Sequence, residues 1–197
     1  MAPANFDKTS LRRQLLATRA LLSVEDAESA AAVLAGHAVA LPELARAHTV
    51  AAYVSVGREP GTRPLLDALR ARGVRVLLPV LLPDNDLDWG AYEGADSLVP
   101  AGRGLREPDG ARLGVHAVLE ADAVLLPGLA VDGRGMRLGR GGGSYDRVLA
   151  RLVRADAHPA LVVLLYGDEV VARIPEEPHD HPVHTVVTPE GIRRFSA

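Results

Sequence analysis

One segment concentrates the residues whose types and spacing could do chemistry: LPGLAVDGRGMRLGRGGGSYDR, residues 126–147. Its glycines allow the backbone to approach a ligand and to turn N–H groups inward. Arg137 and Arg140 add fixed positive charge beside those glycines, which are Gly139, Gly141, Gly142 and Gly143. The segment therefore predicts a loop that binds a phosphate group. The alternative is a solvated glycine-rich turn, but three arginines packed with Asp132 and Asp146 are more charge than such a turn needs.

Familiar phosphate and nucleophile motifs do not describe this loop. A P-loop requires a Lys, which the segment lacks, and a dinucleotide fingerprint requires a Gly where Ser144 stands. A serine nucleophile elbow would require a Gly at the position that Asp146 occupies. The loop is therefore expected to be a different class of anion site.

The loop lies between a predicted strand, Ala123–Pro127, and a predicted helix that begins at Ser144 or Tyr145 and ends near Arg154. Open α/β sheets place their ligands outside the carboxyl ends of the strands. A helix that begins there presents the positive end of its dipole to an anion. Position and charge therefore agree on anion binding.

The elements that must hold this loop alternate along the chain. Helical spacing predicts a first helix capped by Thr9 or Ser10, a second that begins after Ser23, and a third capped by Thr62. Apolar runs predict strands at Thr49–Val56, Val74–Pro79, Leu87–Tyr92, Ala160–Tyr166 and His184–Thr188. Alternating strands and helices are typical of a parallel sheet. The expected fold is α/β: a single three-layer domain, residues 1–197, with a mostly parallel, Rossmann-like sheet flanked by helices.

Composition excludes several functional classes. The chain has 197 residues and a formal charge of −3, so it has no basic field for nucleic acid, and 4% aromatic residues cannot form a base-stacking platform. The absence of cysteine excludes thiol catalysis and fits a reducing compartment. The start MAPANFDKTS has no apolar core, and no apolar run approaches the roughly 20 residues of a membrane span. We expect a soluble, cytoplasmic monomer with no membrane or nucleic-acid partner.

The lone lysine is unusual. Of 22 basic residues, one is Lys8 and the other 21 are Arg, a bias under which ordinary surface charge is written as Arg. A compact ammonium and a planar guanidinium do different work, so Lys8 is a candidate functional residue. The alternative is a chance survivor at a solvated helix start.

The glycine-rich segment closely resembles the signature of the 5-formyltetrahydrofolate cyclo-ligase (methenyltetrahydrofolate synthetase) family, P-G-x-x-F-D-x-x-G-x-R-L-G-R-G-x-G-Y-Y-D. The similarity extends over the chain in order, through YVSVGREPGT, VLLPV, the segment from Trp89 to Pro108 and PEEPHDHPVHTVVT. It implies a ligase that uses ATP and Mg²⁺ to convert 5-formyltetrahydrofolate to 5,10-methenyltetrahydrofolate, with release of ADP and phosphate.

The resemblance also implies a set of site residues. ATP would be bound by Lys8, Arg12 and the loop Arg137, Leu138, Gly139, Arg140, Gly141, Gly142, Gly143, Ser144 and Tyr145. The folate would be met by Val56, Glu59, Arg140, Gly141, Gly142, Gly143 and Ser144, and Mg²⁺ by Asp146 and Asp180. Arg137 and Arg140 are the expected catalytic residues, because Arg pairs bidentately with the oxygens of a transferring phosphate. Without the resemblance, Glu59 could equally act on the start of the helix after Thr62.

Four positions depart from the family pattern: Ser144 replaces a Tyr, Gly61 an acid, Val131 a Phe, and His184 a second acid. A non-catalytic binder of a nucleotide or folate that keeps the loop is therefore the alternative function.

The late His-rich loop leaves a second question open. His179, Asp180, His181 and His184 could bind a transition metal, but the surrounding prolines favour a solvated extended loop. Only Asp180, a hard oxygen ligand, suits Mg²⁺.

Overall fold

The computed structural model describes residues 7–196. The helices of this part of the chain are α1 (Lys8–Ala20), α2 (Val24–Val39), α3 (Pro42–Ala45), α4 (Arg63–Ala71) and α5 (Ser144–Arg154). The strands are β1 (Thr49–Ala51), β2 (Arg75–Leu81), β3 (Leu87–Ala91), β4 (Leu98–Pro100), β5 (Arg106–Pro108), β6 (Ala123–Leu126), β7 (Ala130–Asp132), β8 (Arg137–Leu138), β9 (Ala160–Leu164), β10 (Val170–Val171), β11 (Thr185–Thr188) and β12 (Gly191–Arg194). Short 3₁₀ segments occupy Ala95–Ser97, Gly102–Gly104, Val115–Glu120 and Gly167–Glu169.

A seven-stranded sheet forms the centre, in the order β12-β11-β9-β6-β1-β2-β3. The five strands from β11 to β2 are parallel, and antiparallel β12 and β3 close the two edges. Helices α2 and α4 pack on one face, and α5 with the 3₁₀ segment Val115–Glu120 packs on the other. The predicted mostly parallel sheet flanked by helices is confirmed.

Alternation along the strands builds both layers. In β1, β2 and β6, the residues Val50, Leu78 and Leu125 pack towards α2 and α4, whereas their neighbours Ala51, Leu77 and Val124 pack towards α5. Strands buried on both faces read as continuous apolar runs, which is why the sequence revealed them. Their carboxyl ends meet at one edge of the sheet.

A smaller sheet, β10-β7-β8, lies where the sequence predicted an unbroken loop, residues 128–143. That prediction was wrong, because two- and three-residue strands carry no readable periodicity and β7 pairs with β10, some 40 positions later. Leu11 and Leu15 of α1 pack onto this sheet against Leu129, Ala130, Leu138 and Ile174. Helix α1 therefore rests on the glycine-rich segment itself.

Two predicted side-chain caps are absent, although α4 does begin directly after Thr62, as predicted. Asp7, rather than Thr9 or Ser10, caps α1 by accepting from the Ser10 N–H at 2.7 Å. The Thr62 side chain does not cap α4; its hydroxyl donates to the Tyr53 carbonyl at 2.7 Å.

The Thr62 hydroxyl also accepts from the Ser55 N–H at 2.9 Å. The backbone after β1 is thus held by a side chain instead of a neighbouring strand, so β1 ends at Ala51 and not at the predicted Val56. The Ser23 cap of α2 is confirmed. Within residues 7–196, no helix is long and apolar enough to cross a membrane.

Candidate active site

A cavity of about 490 Å³ opens at the carboxyl ends of β6, β1 and β2. Every site residue expected from the sequence lines it: Lys8, Arg12, Val56, Glu59, the loop from Arg137 to Asp146, and Asp180. Segments that are up to 172 positions apart therefore meet in one place. The position agrees with the general rule for ligands in open α/β sheets.

Arg137 is the most enclosed cation of the cavity. Its side chain is 7% exposed, its Nη1 donates to the Pro127 carbonyl at 2.8 Å, and its Nη2 lies 3.7 Å from the half-exposed Asp146. The buried Nε has no hydrogen-bond partner among the described residues. Burial lowers the pKa of this guanidinium, and Asp146 opposes that effect only in part. Such an under-paired cation is poised to receive an anion.

Two glycines make room for the guanidinium of Arg137. A Cβ on Gly139 would lie 2.9 Å from Nη1 of Arg137, and a Cβ on Gly128 would lie 3.3 Å from its Cγ. The glycines at these two positions therefore leave space for the Arg137 side chain.

Arg12 fastens α1 to the loop. Its Nε donates to the Gly139 carbonyl at 2.8 Å, and its guanidinium packs against Gly141, where a Cβ would lie 3.3 Å from Cζ. Gly141 also has φ +96°, a backbone conformation that residues with a Cβ rarely adopt. The glycine at position 141 thus allows the Arg12 cation to approach the cavity.

The start of α5 faces the same cavity. Gly143, at φ +78°, precedes the helix and has no side chain with which to cap its first amides. Uncapped N–H groups at a helix start, together with the helix dipole, favour an anion. Tyr145 lies in the first turn, and burial raises the pKa of its hydroxyl, which has no partner within residues 7–196.

Lys8 does not stand alone. Its ammonium donates to Asp180 at 2.7 Å and to Glu177 at 2.9 Å. Burial by itself would lower the pKa of Lys8, but these hydrogen bonds outweigh it and the pKa is raised. Burial by itself would raise the pKa of Asp180, but the hydrogen bonds from Lys8 and from the Glu177 N–H, together with the nearby positive charge, outweigh it, so that pKa is lowered. The pair fixes α1 against the late loop at the cavity wall.

Glu59 joins two parts of the site. One carboxylate oxygen accepts from the Val56 N–H at 2.8 Å, and the other lies 3.2 Å from Nε of Arg140. Its carboxylate therefore closes its own turn after β1 and reaches the glycine loop. The exposed Arg140 stands between the loop and this turn.

Several wall residues were missed by sequence reasoning. They are Tyr53, Val54, Pro79, Leu81, Leu87, Arg103, Leu105, Arg106, Pro127, Gly128 and Glu177. The apolar members read as ordinary core, and the two arginines lie in a Pro- and Gly-rich stretch without periodicity. Only Glu177 had a usable signal, its closeness in sequence to Asp180. His179, which the sequence singled out only as a possible transition-metal ligand, also lines the cavity.

The possible metal ligands that lie together in the late loop are not the set considered from the sequence. Glu177, His179 and Asp180 have one ligand atom each within 4.8 Å of one another. His181 and His184 are not part of that group, and Nδ1 of His184 accepts from the Leu161 N–H at 2.9 Å. His184 therefore supports the start of β9.

The structure shows where the other departures from the family pattern lie, and it gives a steric reason for Gly61. Val131 is fully buried in the core under α5. A Cβ on Gly61 would lie 2.7 Å from the Cβ of Ala31, so α2 leaves no space for an acid there. Ser144 begins α5 and lines the cavity.

Asp132, fully buried, accepts from the N–H groups of Arg134, Met136 and Ile174, so it shapes the β7–β8 turn.

Comparison with known proteins finds one family over most of the chain. The model of the 5-formyltetrahydrofolate cyclo-ligase family matches residues 4–189. A 5-formyltetrahydrofolate cyclo-ligase of Mycolicibacterium smegmatis is 43% identical over 188 residues, 93% of this chain and 94% of that protein. One from Escherichia coli K12 is 36% identical over 156 residues, 77% and 83% of the two chains. The solution structure of Aquifex aeolicus 5,10-methenyltetrahydrofolate synthetase superposes with a TM-score of 0.81 at 28% identity, covering 96% of this chain and 93% of that one.

Proposed function

The chain belongs to the 5-formyltetrahydrofolate cyclo-ligase family, and we propose that the cavity is where it performs the family's reaction. It is a ligase that converts 5-formyltetrahydrofolate to 5,10-methenyltetrahydrofolate, and the family uses ATP as co-substrate. Membership in this family favours catalysis over a non-catalytic nucleotide or folate binder.

The observation that carries the proposal is Arg140. Its guanidinium lies at the junction of the glycine loop and the Glu59 turn. The loop, with Arg137, Arg12 and the start of α5, offers an anion site for ATP phosphates. The turn with Glu59 and Val56 offers a carboxylate and an adjacent backbone to the ring of the folate. A phosphoryl group that passes from one substrate to the other would pass Arg140.

The proposed chemistry transfers the γ-phosphoryl group of ATP to the oxygen of the N5-formyl group and releases ADP. N10 then attacks the formyl carbon and loses its proton, and phosphate leaves with the former formyl oxygen. The chain's part is to position the substrates and to neutralise charge, as is usual in phosphoryl transfer. Arg137 and Arg140 would contact the transferring group.

Two carboxylates of the cavity fit a divalent cation. In Asp180, both hydrogen bonds, from Lys8 and from the Glu177 N–H, go to Oδ2, which leaves Oδ1 available. Asp146 is half-exposed and only loosely paired with Arg137. Hard oxygens with room for water and phosphate suit Mg²⁺. We propose that Asp146 and Asp180 hold Mg²⁺, which when bound would neutralise charge on the ATP phosphates.

The same proposal covers the remaining ligand contacts. Lys8 and Arg12 would bind ATP together with residues 137–145, and Val56, Glu59 and residues 140–144 would bind folate. Since one chain supplies every described wall of the cavity, a monomer suffices. We further propose that residues 1–197 form a single domain that acts in the cytoplasm and binds no nucleic acid. The net charge of −3 supports the absence of a nucleic-acid partner, and the absence of cysteine fits a reducing compartment.

Turnover tests the proposal directly. With 5-formyltetrahydrofolate, ATP and Mg²⁺, the chain should produce the absorbance of the methenyl product, and omission of ATP should abolish it. Arg140→Ala should lower kcat by about 100-fold or more, as for loss of a transition-state charge contact. Arg70→Ala, an exposed arginine outside the cavity, is the matched control and should leave kcat unchanged. Binding of both substrates without product would support the non-catalytic binder instead.

A further inference from the structure

We propose that Arg103 and Arg106 form a carboxylate-binding subsite at the outer end of the cavity, which receives the glutamyl tail of the reduced folate. The inference rests on the proposed function, because it concerns the same folate. Both arginines line the cavity, and neither belongs to the site expected from the family resemblance.

The hairpin β4–β5 carries these arginines to the cavity. The 3₁₀ turn Gly102–Gly104 forms its tip, and Arg106 begins β5. The carboxylate of Glu107 accepts from the Leu81 N–H at 3.0 Å, which attaches β5 to the end of β2. The hairpin is therefore fixed to the edge of the sheet at which the cavity opens.

Both guanidinium groups are oriented but electrically unpaired. Nη1 of Arg103 donates to Oδ1 of Asn85 at 3.3 Å, and Nη2 of Arg106 donates to the Leu98 carbonyl at 3.0 Å. No carboxylate of residues 7–196 lies within ion-pair distance of either one. Each guanidinium has five N–H donors, so most remain open. Two planar cations with open donors, carried by one hairpin into one cavity, suit a carboxylate.

The backbone of Arg103 supports a specific role. Its φ of +60° lies in the left-handed region, which favours glycine and is uncommon for a residue with a Cβ. Residues held in that region are found preferentially at ligand sites. The tip therefore holds an arginine where a glycine would be easier to accommodate.

The chemistry of the cavity changes in order along the edge of the sheet. The loop after β6 supplies the phosphate site, and the turn after β1 supplies Glu59. The end of β2 and the start of β3 supply an apolar stretch, in which Leu81 pairs with Leu87, flanked by Pro79 and Leu105. Arg103 and Arg106 follow. From β6 to β3 the sheet spans three strand spacings, roughly 14 Å.

A reduced folate has the same order of chemistry. Its pterin ring carries the reacting N5-formyl group and hydrogen-bonding nitrogens, an apolar aminobenzoyl group follows, and glutamate carboxylates end the molecule. With the ring at Glu59 and the reacting group at Arg140, the aminobenzoyl group meets the apolar stretch. The carboxylates then reach Arg103 and Arg106. The phosphates of ATP lie at the opposite end, so these arginines distinguish folate.

Substrates with and without the tail test the inference. We would measure KM and kcat of the wild type, Arg103→Ala, Arg106→Ala, the double variant and the control Arg70→Ala, by the absorbance of the methenyl product. The substrates are 5-formyltetrahydrofolate and 5-formyltetrahydropteroate, which lacks the glutamate. Each single variant should raise KM for the folate by about tenfold, as for loss of a charged hydrogen bond. KM for ATP and for the pteroate should stay the same in all five proteins.

Inhibition of the wild-type enzyme by fragments of the folate gives a test that does not depend on how the variants fold. Against wild-type protein, p-aminobenzoylglutamate should inhibit more strongly than p-aminobenzoate. An equal rise in KM for both substrates, a rise in KM for ATP alone, unchanged kinetics in the double variant, or equal inhibition by the two compounds would each overturn the subsite. If the wild type turned over neither substrate, the proposed function itself would fail, and this inference with it.

Discussion

Replacement of two buried arginines by methionine is expected to have different consequences for stability. Arg19 and Arg137 are 3% and 7% exposed, and both donate to a carbonyl near the start of the glycine-rich segment, that of Gly128 and that of Pro127 respectively. They differ in the carboxylate each one meets. Methionine keeps most of the side-chain volume and removes the charge in both cases.

Arg19 holds a buried carboxylate. Its Nε and Nη2 lie 2.6 and 2.9 Å from the two oxygens of Glu169, which is 2% exposed. Burial raises the pKa of Glu169 even with this partner present. Removal of one member of a buried pair leaves the other uncompensated, which costs about 3–5 kcal/mol. Arg19→Met should therefore lower the free energy of unfolding by that amount.

Arg137 has no such partner. Asp146 is 3.7 Å away and 41% exposed, so it stays hydrated when the arginine is removed. Loss of the bond to Pro127 costs about 1–3 kcal/mol, whereas relief of an under-paired buried cation returns several kcal/mol. Arg137→Met should leave stability unchanged or increase it. Turnover should nevertheless fall about 100- to 1,000-fold, since a charge contact to the transferring group is lost.

Urea unfolding and steady-state kinetics of both variants decide the matter. A loss of 3 kcal/mol or more in Arg137→Met would show that Arg137 is a structural residue. Wild-type kcat in Arg137→Met would remove it from the reaction. Stability retained in Arg19→Met would contradict the pairing energetics from which both expectations derive.

Three further outcomes are expected. Gly139→Ala should lower kcat, because the added Cβ would lie 2.9 Å from Nη1 of Arg137. The control Gly36→Ala, in open space within α2, should keep kcat, and its free energy of unfolding, measured in urea, should rise by about 0.5–1 kcal/mol. Because folding lowers the pKa of the Asp180 carboxyl below its usual 3.8, this group stabilises the fold at pH values above 3.8, and that stabilisation is lost as the pH falls through its pKa in the folded protein. Asp180→Asn should therefore lose less stability on acidification than the wild type, as followed by circular dichroism. An equally steep loss in the variant would contradict the ion pair of Asp180. Asp146→Asn should raise the Mg²⁺ concentration needed for half-maximal turnover with unchanged circular dichroism, and an unchanged requirement would exclude it as a ligand.

The central strands and the glycine-rich loop could be predicted from sequence because their signals are local. Buried parallel strands are apolar runs, and the loop places Arg137, its glycines and the start of α5 within ten positions. The pairing of Lys8 with Asp180 could not be predicted, since it joins residues 172 positions apart. The family resemblance placed both at the site but assigned them to different ligands.

Other features depend on contacts that no local pattern encodes. The early end of β1 follows from the Thr62 hydroxyl, which takes the place of a ladder partner. The hairpin β7–β8 depends on the buried Asp132 and on β10. Arg103 lies at the cavity on a hairpin that Glu107 attaches to β2. Each requires the folded chain to be known first.

Transfer of the formyl oxygen to phosphate is the event that distinguishes ATP-dependent cyclisation in this cavity from binding alone. The direct measurement uses 5-formyltetrahydrofolate labelled with oxygen-18 in the formyl group, with ATP and Mg²⁺, and mass spectrometry of the released phosphate. One labelled oxygen per phosphate is predicted, in step with formation of the methenyl product. Unlabelled phosphate, with the label in water or still in the folate, would contradict phosphoryl transfer to the formyl oxygen.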